Sequence, residues 1–385
     1  MNTASQLVKD ADRATAMGDL NRACDLLLQA LDLQAPEIGT LLKLAGLQRA
    51  TGKPQAALET VERALAISPL DFTALLFRAS LLDRLGRSDA PEAWSHALAQ
   101  KPDEELPHHL AKIVVEAEAR VEAWTAEREV KMAAAMQASE AAADPEERQR
   151  IKRFKTNVLR RTRPYHSEPT HFHFPGLAEC EFFPRRLFPW FEMLERETEA
   201  IATEMQAVMA AERAELVPYI QYAEHMPLAQ WRELNNNRDW TAIHLMRNGQ
   251  RIEANAAMCP LTMSVLAQCD QPQIPGASPN AMFSLLAPGT RIPPHVGVNN
   301  TRLVCHLPLV VPEGCWFRVG AETRFWKPGE AFVFDDTIEH EAMNPSDRPR
   351  IVFIFDVWHP QLSPVERQAV AALVASDSEA TPGAL

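Results

Sequence analysis

"PPHVGVNNTRLVCHLPL", residues 293–309, sets His295 ahead of a Gly/Asn-rich turn and then runs into an alternating apolar stretch. Downstream, "FDDTIEHEAMNPSDRPRIVFIFDVWHP", residues 334–360, carries His340 and then Arg350 on strand-like sequence. Neither histidine lies in the apolar stripe of a helix, where an imidazole is usually a packed core residue. Two imidazoles with an arginine close behind suggest a metal site with an anion clamp beside it. One ligand that such a site usually has is missing.

The strand beginning at Arg302 alternates. Arg302, Val304 and His306 share one face, and Leu303, Cys305 and Leu307 share the other. A partly basic face backed by an apolar one fits an anionic ligand held inside a barrel. A hairpin between the strand before His340 and the strand that opens at Arg350 would bring those two residues together. From about Trp240 the chain reads as short strands separated by Gly, Pro and Asn turns: "WTAIHLMRNG", "AMFSLLAPGTRI", "RLVCHLPLVV", "CWFRVGAETRFW", "EAFVFDD" and "RIVFIFDVW". Such regular spacing argues for a sandwich or barrel, with Phe332, Phe334, Phe353 and Phe355 in its core. Upstream, "PTHFHFPGL" is extended and "CEFFPRRLFPWFEMLERETEAIATEMQAVM" leads into an amphipathic helix.

The first hundred residues repeat. Gly18, Gly52 and Gly86 recur at 34-residue intervals, Ala30, Ala64 and Ala97 hold matching places, and Pro36, Pro69 and Pro102 close each unit. A helix–turn–helix period of that length resembles the tetratricopeptide repeat, whose units stack to bury a face that no single pair covers. Beyond Pro102 the sequence turns rich in Ala, Glu, Lys and Arg, which predicts helix with a break at "AADPEE", where Asp144 caps and Pro145 starts a new one. The basic run from Lys152 to Arg163 is read as a solvated helix face.

A net charge of -12 argues against general nucleic-acid or anionic-membrane binding. No apolar run reaches the length of a membrane span and the first residues carry no signal-peptide pattern, so no membrane span is expected. The 6 cysteines form no C-x-x-C pair, which points to a reduced, cytoplasmic protein.

The chemistry of the His/His/Arg set is that of a mononuclear iron oxygenase. Two imidazoles hold Fe(II) and leave positions for a keto acid and O2, while an arginine fork takes the far carboxylate of 2-oxoglutarate. The segment from Phe172 to Pro364 resembles the aspartyl/asparaginyl β-hydroxylase family of Fe(II)/2-oxoglutarate oxygenases. The matching pieces, in order, are "FPGL", "LFPWFEMLE", the strand around Trp240, "FSLLAPGTRIPPHVG", "NTRLVCHLPL", "FDDTIEHEA" and "DVWHP".

The resemblance implies that His295 and His340 bind iron, and that Gly297 stands where other such enzymes place an aspartate ligand. It gives the distal carboxylate of the co-substrate to Arg350 and Ser284, with Trp240 and His306 lining that pocket. Arg302 would meet a substrate carboxylate. Val304 stands near where animal peptide hydroxylases carry a second arginine, which weakens the case for an Asp or Asn peptide substrate. His171 and His173 form a rival H-x-H pair without a third ligand, and are read as polar edge residues. Asp335 and Asp336 would hold the His340 loop or orient the metal-bound imidazoles.

The expectation is therefore a multidomain α and β chain. Tetratricopeptide-like repeats cover residues 1–102, a helical linker 103–165, a double-stranded β-helix (jelly-roll) oxygenase barrel 166–372, and a disordered tail 373–385. Its activity would be hydroxylation of an unactivated C–H, on an Asp/Asn residue or a related amino-acid or acyl substrate, with Fe(II), 2-oxoglutarate and O2. The small anionic co-substrate would sit in the barrel, and a protein or peptide partner on the repeats. The competing expectation is a repeat adaptor whose barrel senses a ligand without turning it over. A cupin-like sugar- or metal-binding barrel is a third, and it would not need Arg350.

Overall fold

The computed structural model describes residues 3–211, 217–223, 225 and 229–376. The chain divides into two compact units, Met1–Ala142 and Ala143–Leu385.

The first unit is helical. Three antiparallel pairs, α1 (Ala4–Ala16) with α2 (Leu20–Leu33), α3 (Ile38–Ala50) with α4 (Pro54–Ile67), and α5 (Phe72–Arg84) with α6 (Ala90–Leu98), follow the 34-residue period. Gly18, Gly52 and Gly86 turn each pair at φ +80, +77 and +66. A side chain there would meet open space, so the sign of φ alone requires glycine. Ala30, Ala64 and Ala97 are fully buried, letting the helices approach closely. Helix α7 (His108–Ala142) closes this core with Val114 and Ala117. No helix among the described residues is long and apolar enough to cross a membrane.

The second unit opens with α8 (Pro145–Val158), whose first turn is a capping box of Asp144 and Glu147 with Pro145 at the start. The basic run on α8 is not uniformly solvated, because Arg153 is clamped between Glu181 and Glu322. Two helices follow, α9 (Phe191–Arg196) and α10 (Thr198–Ala210), and two more, α11 (Glu253–Ala256) and α12 (Pro260–Leu266), are inserted among the strands.

The strands are β1 (Val217–Pro218), β2 (Trp240–Arg247), β3 (Gln250–Arg251), β4 (Ala281–Leu286), β5 (Arg291–His295), β6 (Arg302–Val310), β7 (Trp316–Val319), β8 (Glu322–Phe325), β9 (Phe332–Phe334), β10 (His340–Met343) and β11 (Arg350–Trp358). They form two antiparallel sheets. One runs β1-β2-β4-β11-β6-β9 with β3 on β2, and the other runs β5-β10-β7-β8.

The larger sheet is covered on both faces, which is why its central strands are buried almost throughout. Leu303, Cys305, Leu307, Phe353 and Phe355 pack outward on Leu194, Ile201, Met205 and Leu266 of the helices. Ala242, Met282, Val304 and Val352 pack inward on Ile292, Phe317, Val319 and Ala342 of the smaller sheet. The alternation of β6 is thus the division between two cores.

Two expectations change. The strand before His340 does not pair with the strand from Arg350: β9 pairs with β6, while β11 lies between β4 and β6. His340 and Arg350 reach one cavity because the two sheets stack, not through a hairpin. The residues at the start of the expected tail are helical, since α13 (Pro364–Ser376) buries Val370 and Val374 against Trp358; residues 377–385 lie outside the described ones.

Phe353→Ala should cost about 3–5 kcal/mol, the range for emptying a buried aromatic site. The measurement is the thermal midpoint beside that of Phe325→Ala, which is 65% exposed and should leave the midpoint nearly unchanged.

Candidate active site

His295 ends β5 and His340 opens β10, and the two are direct partners in the strand register. Register partners point to the same side of a sheet, and here the ring centroids lie 4.0 Å apart. His295 Nδ1 sits 2.8 Å from the carbonyl of Pro293, and His340 Nδ1 sits 3.1 Å from that of Ile338. A carbonyl only accepts, so each Nδ1 carries the proton and each Nε2 lone pair is left free. Burial pushes the pKa of His295 down to about 3, with His340 adding to the effect, and that of His340 down to about 4. Both rings are therefore neutral donors at pH 7, and a divalent metal prefers such a pair.

They face an open cavity of about 570 Å³ between the sheets. The opposite wall comes from the larger sheet: Trp240 on β2, Ser284 on β4, His306 on β6 and Arg350 on β11. Trp240 donates its indole N–H to Ser284 Oγ at 3.1 Å. His306 is packed among Phe317, Phe332 and Phe334, and burial holds its pKa well below the usual range.

Arg350 is 1% exposed and has no carboxylate within ion-pair distance among the described residues. Its contacts are a long 3.5 Å approach of Nη1 to the Ser284 carbonyl and the face of Trp326, 4.7 Å away. Burial lowers its pKa to about 10, so it stays charged at neutral pH. An uncompensated buried cation is costly, and a cavity wall is where an anionic ligand can compensate it. The same place concentrates unpaired polar atoms. Among the described residues, Arg350 Nε, His306 Nδ1, Trp326 Nε1 and Asp336 Oδ1 all lack a hydrogen-bond partner.

The backbone around the clamp is tied by Asn344. Its Nδ2 donates to the carbonyls of Leu286, Ala287 and Arg348 at 3.0, 3.0 and 2.8 Å. Leu286 is the register partner of Arg350, so one buried amide fixes both sides of that pair.

The missing carboxylate has a steric explanation. A Cβ built on Gly297 would run into the carboxylate of Asp336, whose backbone carbonyl accepts from Gly297 N at 2.6 Å. Asp336 fills the space that a side chain at 297 would need. Its Oδ2 lies 3.1 Å from Arg302 Nη2. Burial pushes the Asp336 pKa up, and Arg302 opposes that rise.

The expectation that Arg302 faces the co-substrate cavity is therefore corrected. It lies behind Asp336 and lines a second cavity of about 490 Å³. Asp335, pushed up to about 7 by burial, accepts from Thr337 and shapes the loop before His340. His171 and His173 are exposed, and among the described residues no group of three or more His, Cys, Asp or Glu is placed to hold a metal. The pair His295 and His340 would thus need its remaining ligands from water or co-substrate. Tyr219, stacked on Trp240 at 3.8 Å, and Trp326 also line the cavity. The sequence reading missed both, although Trp326 closes one of the strands it quoted.

A family model described as aspartyl/asparaginyl beta-hydroxylase matches residues 195–360. The Rhizobium tropici protein named ornithine lipid ester-linked acyl 2-hydroxylase is 30% identical over 201 residues, 51% of this chain and 67% of that protein. The chain belongs to the aspartyl/asparaginyl β-hydroxylase family. Human aspartyl/asparaginyl beta-hydroxylase is 32% identical over 187 residues, 48% of this chain and 24% of that protein. Aspartate beta-hydroxylase domain-containing protein 2 of Xenopus tropicalis is 31% identical over 219 residues, 55% of this chain. The chain spans 56% of that protein's length, so these relatives extend well beyond the matched region. Among solved structures, the Sgt2 tetratricopeptide domain from Aspergillus fumigatus is 21% identical with a TM-score of 0.28, covering 32% of this chain and 82% of that one.

Gly297→Ala should force Asp336 aside and destabilise the fold by about 1–3 kcal/mol, as overpacking does. Thermal melting checks this. An unchanged midpoint would mean that the Asp336 side chain moves freely and does not fill the site.

Proposed function

We propose that this chain is an Fe(II)- and 2-oxoglutarate-dependent hydroxylase. The observation that carries the reading is one cavity with two neutral imidazoles on one wall, Nε2 free, and a buried, uncompensated arginine on the other. Family membership supports hydroxylation, and the strand order supports reading the two stacked sheets as a double-stranded β-helix.

His295 and His340 would hold iron through Nε2, their Nδ1 protons fixed by backbone carbonyls. The metal, with 2-oxoglutarate and O2, would supply oxidative decarboxylation to succinate and CO2 coupled to hydroxylation of an unactivated C–H. Arg350 would take the distal carboxylate, with Ser284 beside it and Trp240 orienting the Ser284 hydroxyl. His306, neutral and boxed by aromatic rings, would close the pocket against water.

Arg302 is engaged by Asp336, and Val304 adds an apolar patch to the cavity wall. Arg350 is the only Lys or Arg among the described lining residues. Once the co-substrate takes it, no cation remains among those described residues for a substrate carboxylate, so the reacting segment would be uncharged, such as an acyl chain or an amide. The helical repeats would supply a docking surface for a protein or peptide partner. The 6 unpaired cysteines favour a reducing, cytoplasmic setting.

The test loads the protein with Fe(II) and 2-oxoglutarate without oxygen, then admits O2 and follows succinate. Wild type should release it and His340→Ala should not; equal release by both would remove the proposed metal site. Arg350→Gln should raise the 2-oxoglutarate requirement by about 1.5–3 kcal/mol, roughly tenfold to a hundredfold. An unchanged requirement would contradict the clamp.

A further inference from the structure

Trp326 follows β8 on the smaller sheet, while Arg350 opens β11 on the larger one, so their contact spans the gap between the sheets. The guanidinium carbon lies 4.7 Å from the indole centroid. The indole is itself fixed: Phe317 stacks on it at 5.4 Å and 23°, and His306 lies at 6.2 Å and 28°. It is buried, and its Nε1 has no partner. Nothing holds this ring by hydrogen bonding, and what it offers its neighbour is its face.

A guanidinium has two kinds of surface. Its N–H groups donate in the plane, towards a carboxylate, while its face stacks on an aromatic ring. Orienting a buried arginine with a carboxylate would neutralise it and block the N–H edge that an incoming anion needs. An indole face attracts the cation through its quadrupole, leaves the formal charge intact and leaves that edge open. Arg350 has this arrangement. Its guanidinium carbon lies over the Trp326 ring, its Nε is unpaired, and among the described residues its guanidinium's one hydrogen bond is the 3.5 Å contact to the Ser284 carbonyl.

We propose that Trp326 is a positioning residue for the anion clamp, holding the Arg350 cation over the indole face without a carboxylate, so that guanidinium N–H groups stay free for a carboxylate ligand. The proposal rests on the reading of Arg350 as the co-substrate clamp. Trp326 would act through Arg350 alone, which separates it from the residues expected to touch the co-substrate. The interaction is shielded from water, so its loss should be felt near the upper end of the range for such contacts.

The experiment uses the full chain with Mn(II) in place of iron and no oxygen, and measures the 2-oxoglutarate Kd by calorimetry in wild type, Trp326→Leu, Trp326→Phe, Arg350→Gln and the Trp326→Leu/Arg350→Gln double variant. Trp326→Leu should weaken binding about tenfold, and Trp326→Phe, which keeps a weaker face, about threefold. Mn(II) affinity should not change in either. In the Arg350→Gln background, Trp326→Leu should have no further effect, because the residue it supports is gone. Wild-type affinity in Trp326→Leu, or a full additive loss in the double variant, overturns the positioning role. Wild-type affinity in Arg350→Gln overturns the clamp reading instead. Should Trp326→Leu fail to fold, Trp326→Phe alone and combined with Arg350→Gln carries the same test, and an unchanged Kd in Trp326→Phe overturns the proposal.

Discussion

The positive charge of Arg350 is buried between two sheets and left uncompensated, and the rest of the site is arranged around keeping it so. A fully buried guanidinium normally collects carboxylates, since removing an ion from water costs several kcal/mol. Here the neighbours are a backbone carbonyl, an indole face and a histidine that burial keeps neutral. The strain of that arrangement is local, and the fold sustains it by rigid means. Asn344 ties the chain just ahead of the residue to its register partner on β4, and β11 is hydrogen-bonded along both edges.

Arg302 shows the opposite solution on the neighbouring strand. It is 4% exposed, nearly as buried as Arg350, but it meets Asp336 and feels Asp356. Asp356 in turn accepts from Ser278 Oγ at 2.7 Å and from Asn280 N at 2.8 Å, which anchors the lead into β4 to β11. One arginine is paired within the fold; the other faces the cavity, and under the proposed reading it is the one that takes a ligand. Their environments, not their residue type, decide which is which, because both carry a fixed charge at any working pH.

The helical period, the cap at Asp144 and the six strand stretches could all be read from the sequence, since each rests on local chemistry: glycine at the helix turns, proline in a first helical turn, and apolar runs set off by Gly, Pro and Asn turns. The pairing of His295 with His340 was legible only as two histidines in suggestive surroundings, because their register belongs to a sheet whose strands are short and far apart in the chain. The hairpin expected between the last strands failed for the same reason. Local pattern says that β9 and β11 are strands, but a competing partner, β6, takes an edge of each. Arg302 was misplaced because alternation gives the face of a strand and not what stands in front of it. Trp326 was invisible as a site residue because its role is set across sheets, by a contact that no sequence spacing encodes.

Gly297 ties these points together. Read along the chain, it is a deletion: the resemblance places a carboxylate there in other such enzymes, and this sequence has none. In three dimensions the carboxylate is still there, supplied by Asp336 from the loop before His340 and already engaged by Arg302. Moving the acid to position 336 changes what it does. A carboxylate at 297 would be close in sequence to His295, whereas Asp336 lines the same cavity with one oxygen 3.1 Å from Arg302 and the other unpaired. Two oxygens of one side chain are thus divided between the fold and the site. The Arg302 pair engages one oxygen of that carboxylate, and the unpaired oxygen lies on the same cavity as the two imidazoles.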